Sequence, residues 1–168
     1  MSNFQLLYGD EALQVSGNFP QAGETLPSFM LVDEGKHDVA LEAFAGKPKV
    51  LLTLLSLDEE EHGGMRLLRA TRRFLERWPH VQLLVVTVDS PSSLARARQE
   101  HGLPGVALLS TLRGRDFHKS YGVLITDYPL TGYTSPAIWL ADSQDKILYA
   151  ERLSNTLNDF DFETLAKL

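Results

Sequence analysis

Residues 49–88 read KVLLTLLSLDEEEHGGMRLLRATRRFLERWPHVQLLVVTV, and this stretch decides the fold class. It begins with the apolar run KVLLTLL at 49–55 and ends with a second run, VQLLVVTV, at 81–88. Each run is too short for a buried helix and is rich in Val and Leu, which is typical of a strand covered on both faces. Two such runs around a helical segment predict a β-α-β unit with parallel strands.

The segment between these runs predicts the clearest helix of the chain. Core-forming side chains recur at helical spacing on one face, namely Leu67, Leu68, Thr71, Phe74, Leu75 and Trp78. The rest of the helix surface is rich in arginine, at Arg66, Arg69, Arg72, Arg73 and Arg77. Asp58 followed by Glu61 predicts a capping box at the start, and Pro79 marks the end. Gly63 and Gly64, which cost about 1 kcal/mol each relative to Ala, predict either a kinked or frayed first turn, which we favour, or a place where a ligand or partner backbone approaches closely.

Strands and helices continue to alternate on both sides of this unit. The predicted strands lie at 4–8 and 13–15, joined by a turn at 9–10, and then at 29–32, 106–109, 136–141 and 146–151. The predicted helices are one turn at 41–44 and longer segments at 92–101, 115–121 and 159–168. This order predicts one α/β domain over residues 1–168, with a mixed central sheet, flanking helices and an N-terminal β-hairpin at about 4–17. The antiparallel hairpin of the strands at 136–141 and 146–151, added to a β-α-β core, is a thioredoxin-like arrangement.

The composition narrows the function classes. Hydrophobic residues make 43% of the chain and charged residues 23%, which is typical of a globular protein. A net charge of -6 disfavours nucleic acid as a partner. No apolar run reaches the roughly 18 residues that a membrane span needs, and no signal peptide is visible, so we predict a cytoplasmic protein without a membrane partner. The chain has no cysteine, which excludes disulfides, thiolate nucleophiles and cysteine–metal sites.

Short motifs are spread in order along the chain, at 23–32 (GxxxPxFxLV), 44–51 (FAGK followed by KVL), 56–58 (SxD), 89–91 (DxP), 109–113 (LSTxR), 117–123 (FxxxYGV) and 127–132 (DxPLxG). Each motif is weak alone, but together they resemble the thiol peroxidases, which are atypical two-cysteine peroxiredoxins, over nearly the whole chain. The resemblance implies the peroxiredoxin form of the thioredoxin-like fold, including the N-terminal hairpin. It also implies a homodimer and, as the family activity, thioredoxin-dependent peroxide reduction.

The resemblance fails at every position to which it assigns catalysis. The family carries Pro-x-x-x-Thr-x-x-Cys after the central strand, where this chain reads LSLDEEEH. Leu55 therefore replaces the proline, Glu59 the threonine and His62 the peroxidatic cysteine. By spacing, Arg98 holds the position of the resolving cysteine, and Pro136 matches a family arginine that helps to hold the thiolate and the peroxide.

Three functions remain open. The first is a catalytically inactive peroxiredoxin homologue with a binding, regulatory or scaffolding role, because thiolate chemistry requires a cysteine. The second is new acid–base or metal chemistry at a candidate pocket formed by Asp58, Glu61, His62 and Gly63, although its spacing matches no recognised metal signature. The third is a conventional thiol peroxidase, which is the function that the family name alone would give, but the missing nucleophile does not support it.

We predict no cofactor and no metal site. We expect the four consecutive acids at 58–61 to surround the position of His62.

Two surfaces are candidates for partner contacts. The arginines of the long helix are expected to form a solvated face, with an anionic partner as the alternative. The loop 127–135, DYPLTGYTS, presents Tyr128 and Tyr133 and is either a dimer interface or a plain ordered loop.

Overall fold

The computed structural model describes residues 4–114 and 116–168. Its strands are β1 (Phe4–Tyr8), β2 (Glu11–Ser16), β3 (Met30–Asp33), β4 (Asp38–Ala40), β5 (Lys49–Thr53), β6 (Gln82–Thr87), β7 (Val106–Ser110), β8 (Leu124–Ile125), β9 (Ala137–Ala141) and β10 (Ile147–Arg152). Its α-helices are α1 (Met65–Leu75), α2 (Pro91–His101), α3 (Phe117–Tyr121) and α4 (Phe162–Leu165), and a 3₁₀ helix spans Leu41–Phe44. None of the helices in these residues is long and apolar enough to cross a membrane.

The central sheet is mixed, as predicted. Its strand order is β10-β9-β5-β6-β7-β3-β4, in which β5, β6 and β7 are parallel and the other neighbours are antiparallel. A smaller sheet has the order β1-β2-β8, and its antiparallel β1–β2 pair is the predicted N-terminal hairpin. The hairpin also contacts the loop after β10, where Leu7 N donates to Ser154 O at 2.7 Å and Thr156 N donates to Leu7 O at 3.0 Å.

Apolar side chains cover both faces of the central sheet. On one face lie α1, α2 and α4, and the helix face predicted from the 3.6-residue spacing is buried there, at Leu67, Leu68, Thr71, Phe74 and Leu75. On the other face α3 packs against the sheet, with the rings of Phe117 and Tyr121 stacked 4.5 Å apart and Trp139 fully buried. Every residue of β5 is buried, which confirms the prediction of a strand covered on both sides.

The predicted start of the long helix is wrong. Helix α1 begins at Met65, and residues 58–64 form turns instead of a helical turn that Asp58 and Glu61 would cap. The two glycines explain the difference, because Gly63 has a φ of 69° and a Cβ on Gly64 would collide with the carbonyl of Glu59. The first N–H groups of the helix are satisfied by this folded-over loop, and Met65 N donates to Glu59 O at 2.8 Å.

Differences at the other helices are smaller. Trp78 lies beyond the end of α1, although its ring still packs edge-to-face on Phe74 with centroids 5.2 Å apart. The last helix is much shorter than the predicted 159–168, because the side chain of Asp161 accepts from Thr164 N at 3.1 Å and so caps a helix that starts at residue 162. The predicted start of α3, at residue 115, lies outside the described residues.

Two strands were not predicted. Strand β4 has three residues and β8 has two, which is too short for an alternating pattern to be visible in the sequence. Both form because a longer strand pairs with them, β3 with β4 and β2 with β8.

Candidate functional site

The candidate site lies where the loop after β5 meets the segment before β9. Thr53 pairs with Ala137 in the sheet, so the residues after β5 and those before β9 come together at one end of it. Thr53 Oγ1 donates to Ser135 O at 2.7 Å, and Thr134 Oγ1 donates to Leu54 O. These buried hydrogen bonds hold the two segments of the site in a definite position.

Leu55 and Pro136 close on the same glycine. A Cβ on Gly63 would lie 2.8 Å from Pro136 Cγ and 3.2 Å from Leu55 Cγ, so both side chains lie close against this glycine. Leu55 N also donates to Gly63 O at 2.9 Å. Leu55 is 1% exposed and belongs to an apolar cluster with residues of β1, β2 and β8. The centre of the candidate site is therefore packed with apolar groups.

His62 is half-buried beside this cluster. Its Nδ1 lies 2.9 Å from Oγ1 of Thr156, which is fully buried, and its ring meets the ring of Tyr8 edge-to-face with centroids 5.5 Å apart. The neighbouring Gly63 N donates to Thr156 O at 3.0 Å. His62 is thus held by the N-terminal hairpin on one side and by the loop after β10 on the other.

The acidic residues do not converge on His62. The carboxylate of Asp58, which is 63% exposed, accepts from Arg96 at 2.7 Å, and Glu60 forms an ion pair with Arg69. Glu61 is exposed. Among the described residues, no group of three or more His, Asp and Glu side chains is arranged to hold a metal ion. The expectation that all four acids surround His62 is therefore wrong for Asp58 and Glu60.

Arg98 lies on α2 and bonds to a different part of the protein. Its guanidinium meets both carboxylate oxygens of Glu34, at 2.7 and 2.8 Å. It also donates to the carbonyl oxygens of Leu103 and Val106, each at 2.6 Å. Arg98 therefore ties the β3–β4 turn to the chain between α2 and β7.

A side-chain network fixes the first part of the site loop. Asp89, just after β6, accepts from Ser56 Oγ at 2.6 Å, from Leu57 N at 2.8 Å and from Thr87 Oγ1 at 2.8 Å. Ser56 Oγ in turn accepts from Asp58 N at 3.0 Å. The motifs at 56–58 and 89–91, which are distant in sequence, thus meet in the structure at the carboxyl ends of β5 and β6.

The comparisons with known proteins decide the family. The Redoxin family model matches residues 21–167 of the chain. The chain belongs to the redoxin family. A thiol peroxidase of Vibrio cholerae is 27% identical over 158 residues, which covers 94% of this chain and 95% of the relative. Together with the structural match below, this places the protein among the thiol peroxidases of the thioredoxin-like superfamily.

Solved structures agree with this membership. The thiol peroxidase from Chromobacterium violaceum matches with a TM-score of 0.97 and 66% identity, covering 99% of this chain and 95% of that one. A peroxiredoxin-like protein from Aquifex aeolicus matches with a TM-score of 0.85 at 19% identity, covering 99% and 95%, and this likeness bears on the fold alone. The thioredoxin-like fold with its mixed sheet and N-terminal hairpin is thereby confirmed.

Within this thiol peroxidase fold, the residues predicted for the site divide into two groups. Leu55 and Pro136 both lie against Gly63, and His62 is the residue before this glycine. Arg98 instead bonds to the β3–β4 turn, to Leu103 in the loop after α2 and to Val106 at the start of β7. Glu59 is half-buried and contributes its backbone carbonyl to the start of α1.

Two residues that hold His62 were missed by the sequence reasoning, Tyr8 and Thr156. Thr156 is 94 residues from His62 along the chain and lies in a loop without a motif. Tyr8 ends an ordinary hairpin strand. No local pattern distinguishes either residue, because their contact with His62 arises only when the hairpin and the last loop close over the site.

Proposed function

We propose that this member of the thiol peroxidase family does not reduce peroxides and that its fold serves a binding, regulatory or scaffolding role. The absence of cysteine from the 168-residue chain carries this proposal. Peroxide reduction by the family needs a thiolate that attacks the O–O bond and a second thiol that resolves the sulfenic acid. Neither nucleophile is available at any position of this chain.

The packing around His62 supports the same proposal. Leu55 and Pro136 close directly on Gly63, so the place next to the histidine is filled by apolar groups. Leu55, Glu59, His62, Arg98 and Pro136 are on this view degenerate active-site positions that have acquired structural partners. A pocket for a peroxide would instead need open space with hydrogen-bond donors for the developing charge.

New chemistry at Asp58, Glu61, His62 and Gly63 has less support. The carboxylate of Asp58 is committed to Arg96, and Glu61 is exposed. A histidine that acts as a general base needs an orienting partner and an accessible substrate position. His62 has a hydroxyl partner in Thr156 and an edge-to-face contact with the ring of Tyr8, but no carboxylate partner among the described residues.

We also propose that the protein is a cytoplasmic homodimer, as the resemblance to the family implies. The loop 127–135 is a candidate for the dimer contact, since Tyr128 is 85% exposed and Tyr133 is half-buried. A large exposed aromatic side chain is typical of interface residues. Sedimentation of the protein and of a Tyr128→Glu variant tests this: a dimer that the substitution dissociates supports the assignment, and a monomeric native protein contradicts it.

A coupled assay with hydrogen peroxide, thioredoxin, thioredoxin reductase and NADPH tests the main proposal. The thiol peroxidase of Vibrio cholerae serves as the positive control and heat-denatured protein as the blank. We expect NADPH consumption equal to the blank. Consumption well above the blank contradicts the proposal, and its loss in a His62→Ala variant would then assign the activity to new chemistry at this histidine.

A further inference from the structure

A groove lies at the end of α1, at the opposite edge of the sheet from His62. Strands β5, β6 and β7 are parallel, and the candidate site follows the carboxyl end of β5. The groove instead borders the amino ends of β6 and β7 and has a volume of about 240 Å³. Its lining includes the buried side chains of Leu75, Leu83 and Val106, together with Trp78, Pro104 and Arg72. We call this surface the α1 groove.

The α1 groove continues into a basic depression. A second hollow of about 270 Å³ is lined by Arg69, Arg72, Arg73 and Glu76, and it shares Arg72 and Glu76 with the groove. The two hollows therefore form one surface, which is lined mostly by apolar side chains at one end and by arginines at the other. A volume of this size is below the usual range of a small-molecule pocket but takes one aromatic or aliphatic side chain.

The arginines of this surface differ in their partners. Arg69 is paired with Glu60, and Arg77 lies over the ring of Phe74 at 4.4 Å. Arg72 and Arg73 have no ion pair within residues 4–114 and 116–168. A favourable helix dipole accounts for basic residues at the end of α1. It does not account for an apolar groove beside them.

We propose that the α1 groove binds an acidic protein segment that carries one aromatic or aliphatic anchor. The anchor side chain would pack between Trp78 and Pro104, and the flanking carboxylates would meet the guanidinium groups of Arg72 and Arg73. Tryptophan and arginine around a desolvated apolar contact are the residues that dominate binding energy at protein interfaces. Nucleic acid fits this surface less well, because the net charge of -6 repels a phosphate backbone.

This proposal rests on the binding role proposed above and gives it a surface and a class of partner. Peptide binding tests it, whereas the peroxide assay tests the loss of peroxidase activity, so the two can fail separately. The probe is a fluorescein-labelled synthetic peptide of Glu and Asp residues around one Phe and one Leu, with binding followed by anisotropy. Trp78 provides a second signal, because the only other tryptophan, Trp139, is fully buried. We expect saturable binding that changes Trp78 emission and weakens as NaCl rises from about 50 to about 500 mM.

Two protein variants and one altered peptide make the test specific. Arg73→Glu should weaken binding about tenfold or more, whereas Lys119→Glu, an equal charge change at an exposed residue of α3, should leave it unchanged. Arg73 is exposed, so the variant should fold and lose only the small stabilisation that a basic residue gives the end of a helix. A peptide with Ser in place of Phe and Leu should bind at least about tenfold more weakly, because it has no apolar side chain to bury in the groove.

Several results would overturn the proposal. Undetectable binding, equal losses in both variants, or equal affinity of the Ser-substituted peptide would each show that the groove does not recognise such a segment. Tighter binding of a single-stranded oligothymidine would assign the arginines to nucleic acid instead. A native dimer that Arg73→Glu converts to a monomer would show that the surface is covered by a second copy of the chain.

Discussion

Nδ1 of His62 lies 2.9 Å from Oγ1 of Thr156, and this contact joins two loops that are 94 residues apart. At the position that the family resemblance gives to the peroxidatic cysteine, a side-chain contact thus connects the loop after β5 to the loop after β10. A reactive cysteine at a family active site has to be open to peroxide. A histidine at this position instead contributes a hydrogen bond and a ring contact with Tyr8.

Replacing His62 by Cys should not restore peroxidase activity. Leu55 and Pro136 remain packed on Gly63 in this variant, and no second thiol is present to resolve a sulfenic acid. Loss of the hydrogen bond to Thr156 should lower the free energy of unfolding by about 1 kcal/mol. The coupled peroxide assay and urea unfolding measure the two effects, with His62→Ser as the control. Multiple turnovers by His62→Cys but not by His62→Ser would contradict our account of the filled site.

Arg98 should be important for stability. Arg98→Ala removes charge-assisted hydrogen bonds to Glu34 and to two backbone carbonyl groups, and we expect a loss of about 2–3 kcal/mol. Arg98→Lys should recover only part of this loss, because an ammonium group cannot reproduce the planar fork of a guanidinium group.

Urea unfolding followed by circular dichroism measures these changes. Arg96→Ala on the same helix is the matched control, since Arg96 pairs with Asp58 at the surface and its loss should change stability little. Full recovery by Arg98→Lys would show that only the positive charge matters and not the geometry.

Lys49 is a fully buried lysine that forms an ion pair with Asp145. Asp145→Asn leaves an uncompensated buried charge, so we expect a loss of about 3–5 kcal/mol in the free energy of unfolding. Asparagine tolerates the φ of 65° at this position, which separates the charge effect from backbone strain.

The double variant Lys49→Met, Asp145→Asn is the control for this prediction. It removes both charges together and should be far more stable than Asp145→Asn alone. Equal unfolding midpoints for the single and double variants would show that the buried charge of Lys49 is not the cause of the loss.

His118 makes stability depend on pH. Burial lowers the pKa of His118, and its Nε2 is buried without a hydrogen-bond partner in the described part of the chain. At a pH above the unfolded-state pKa, near 6.5, the histidine is neutral in both states and the shift has no effect. As the pH falls below that value the unfolded chain takes up the proton first, so stability is lost until the folded-state pKa is reached.

Thermal melting between pH 7.5 and 5 tests this, with values chosen on either side of about 6.5. The decrease in melting temperature on acidification should be smaller in His118→Gln than in the native protein. His80→Gln is the control, because His80 is exposed. Identical decreases in the native protein and in His118→Gln would show that another group is responsible.

Much of the fold follows from local patterns. The apolar runs at 49–55 and 81–88 contain β5 and β6, and the 3.6-residue spacing identifies the buried face of α1. The start of that helix does not follow, because the Asp58 and Glu61 spacing suits a cap while Gly63 and Gly64 allow the loop to fold back on itself. A capping motif is a local signal. Here the backbone of Glu59 packs closely against Gly64, and the helix starts at Met65 instead of after Asp58.

The candidate site divides in the same way. The family resemblance picks out Leu55, His62 and Pro136, and the structure brings these residues together. The resemblance does not reveal that the carboxylates of Asp58 and Glu60 form ion pairs with arginines, because those arginines lie on α2 and α1. Which of several acids an arginine reaches depends on how the helices are placed on the sheet.

That no thiol chemistry is possible follows from the amino-acid sequence alone, since the absence of cysteine holds for any fold that the chain adopts. The order of the helices and of all strands except the short β4 and β8 also follows from the sequence, because hydrophobic spacing acts over short distances. The surroundings of His62, and the position of Arg72 and Arg73 beside a groove lined mostly by apolar side chains, depend on the tertiary structure. These contacts join residues that are distant along the chain, and such contacts form only when the sheet brings its loops and helices together.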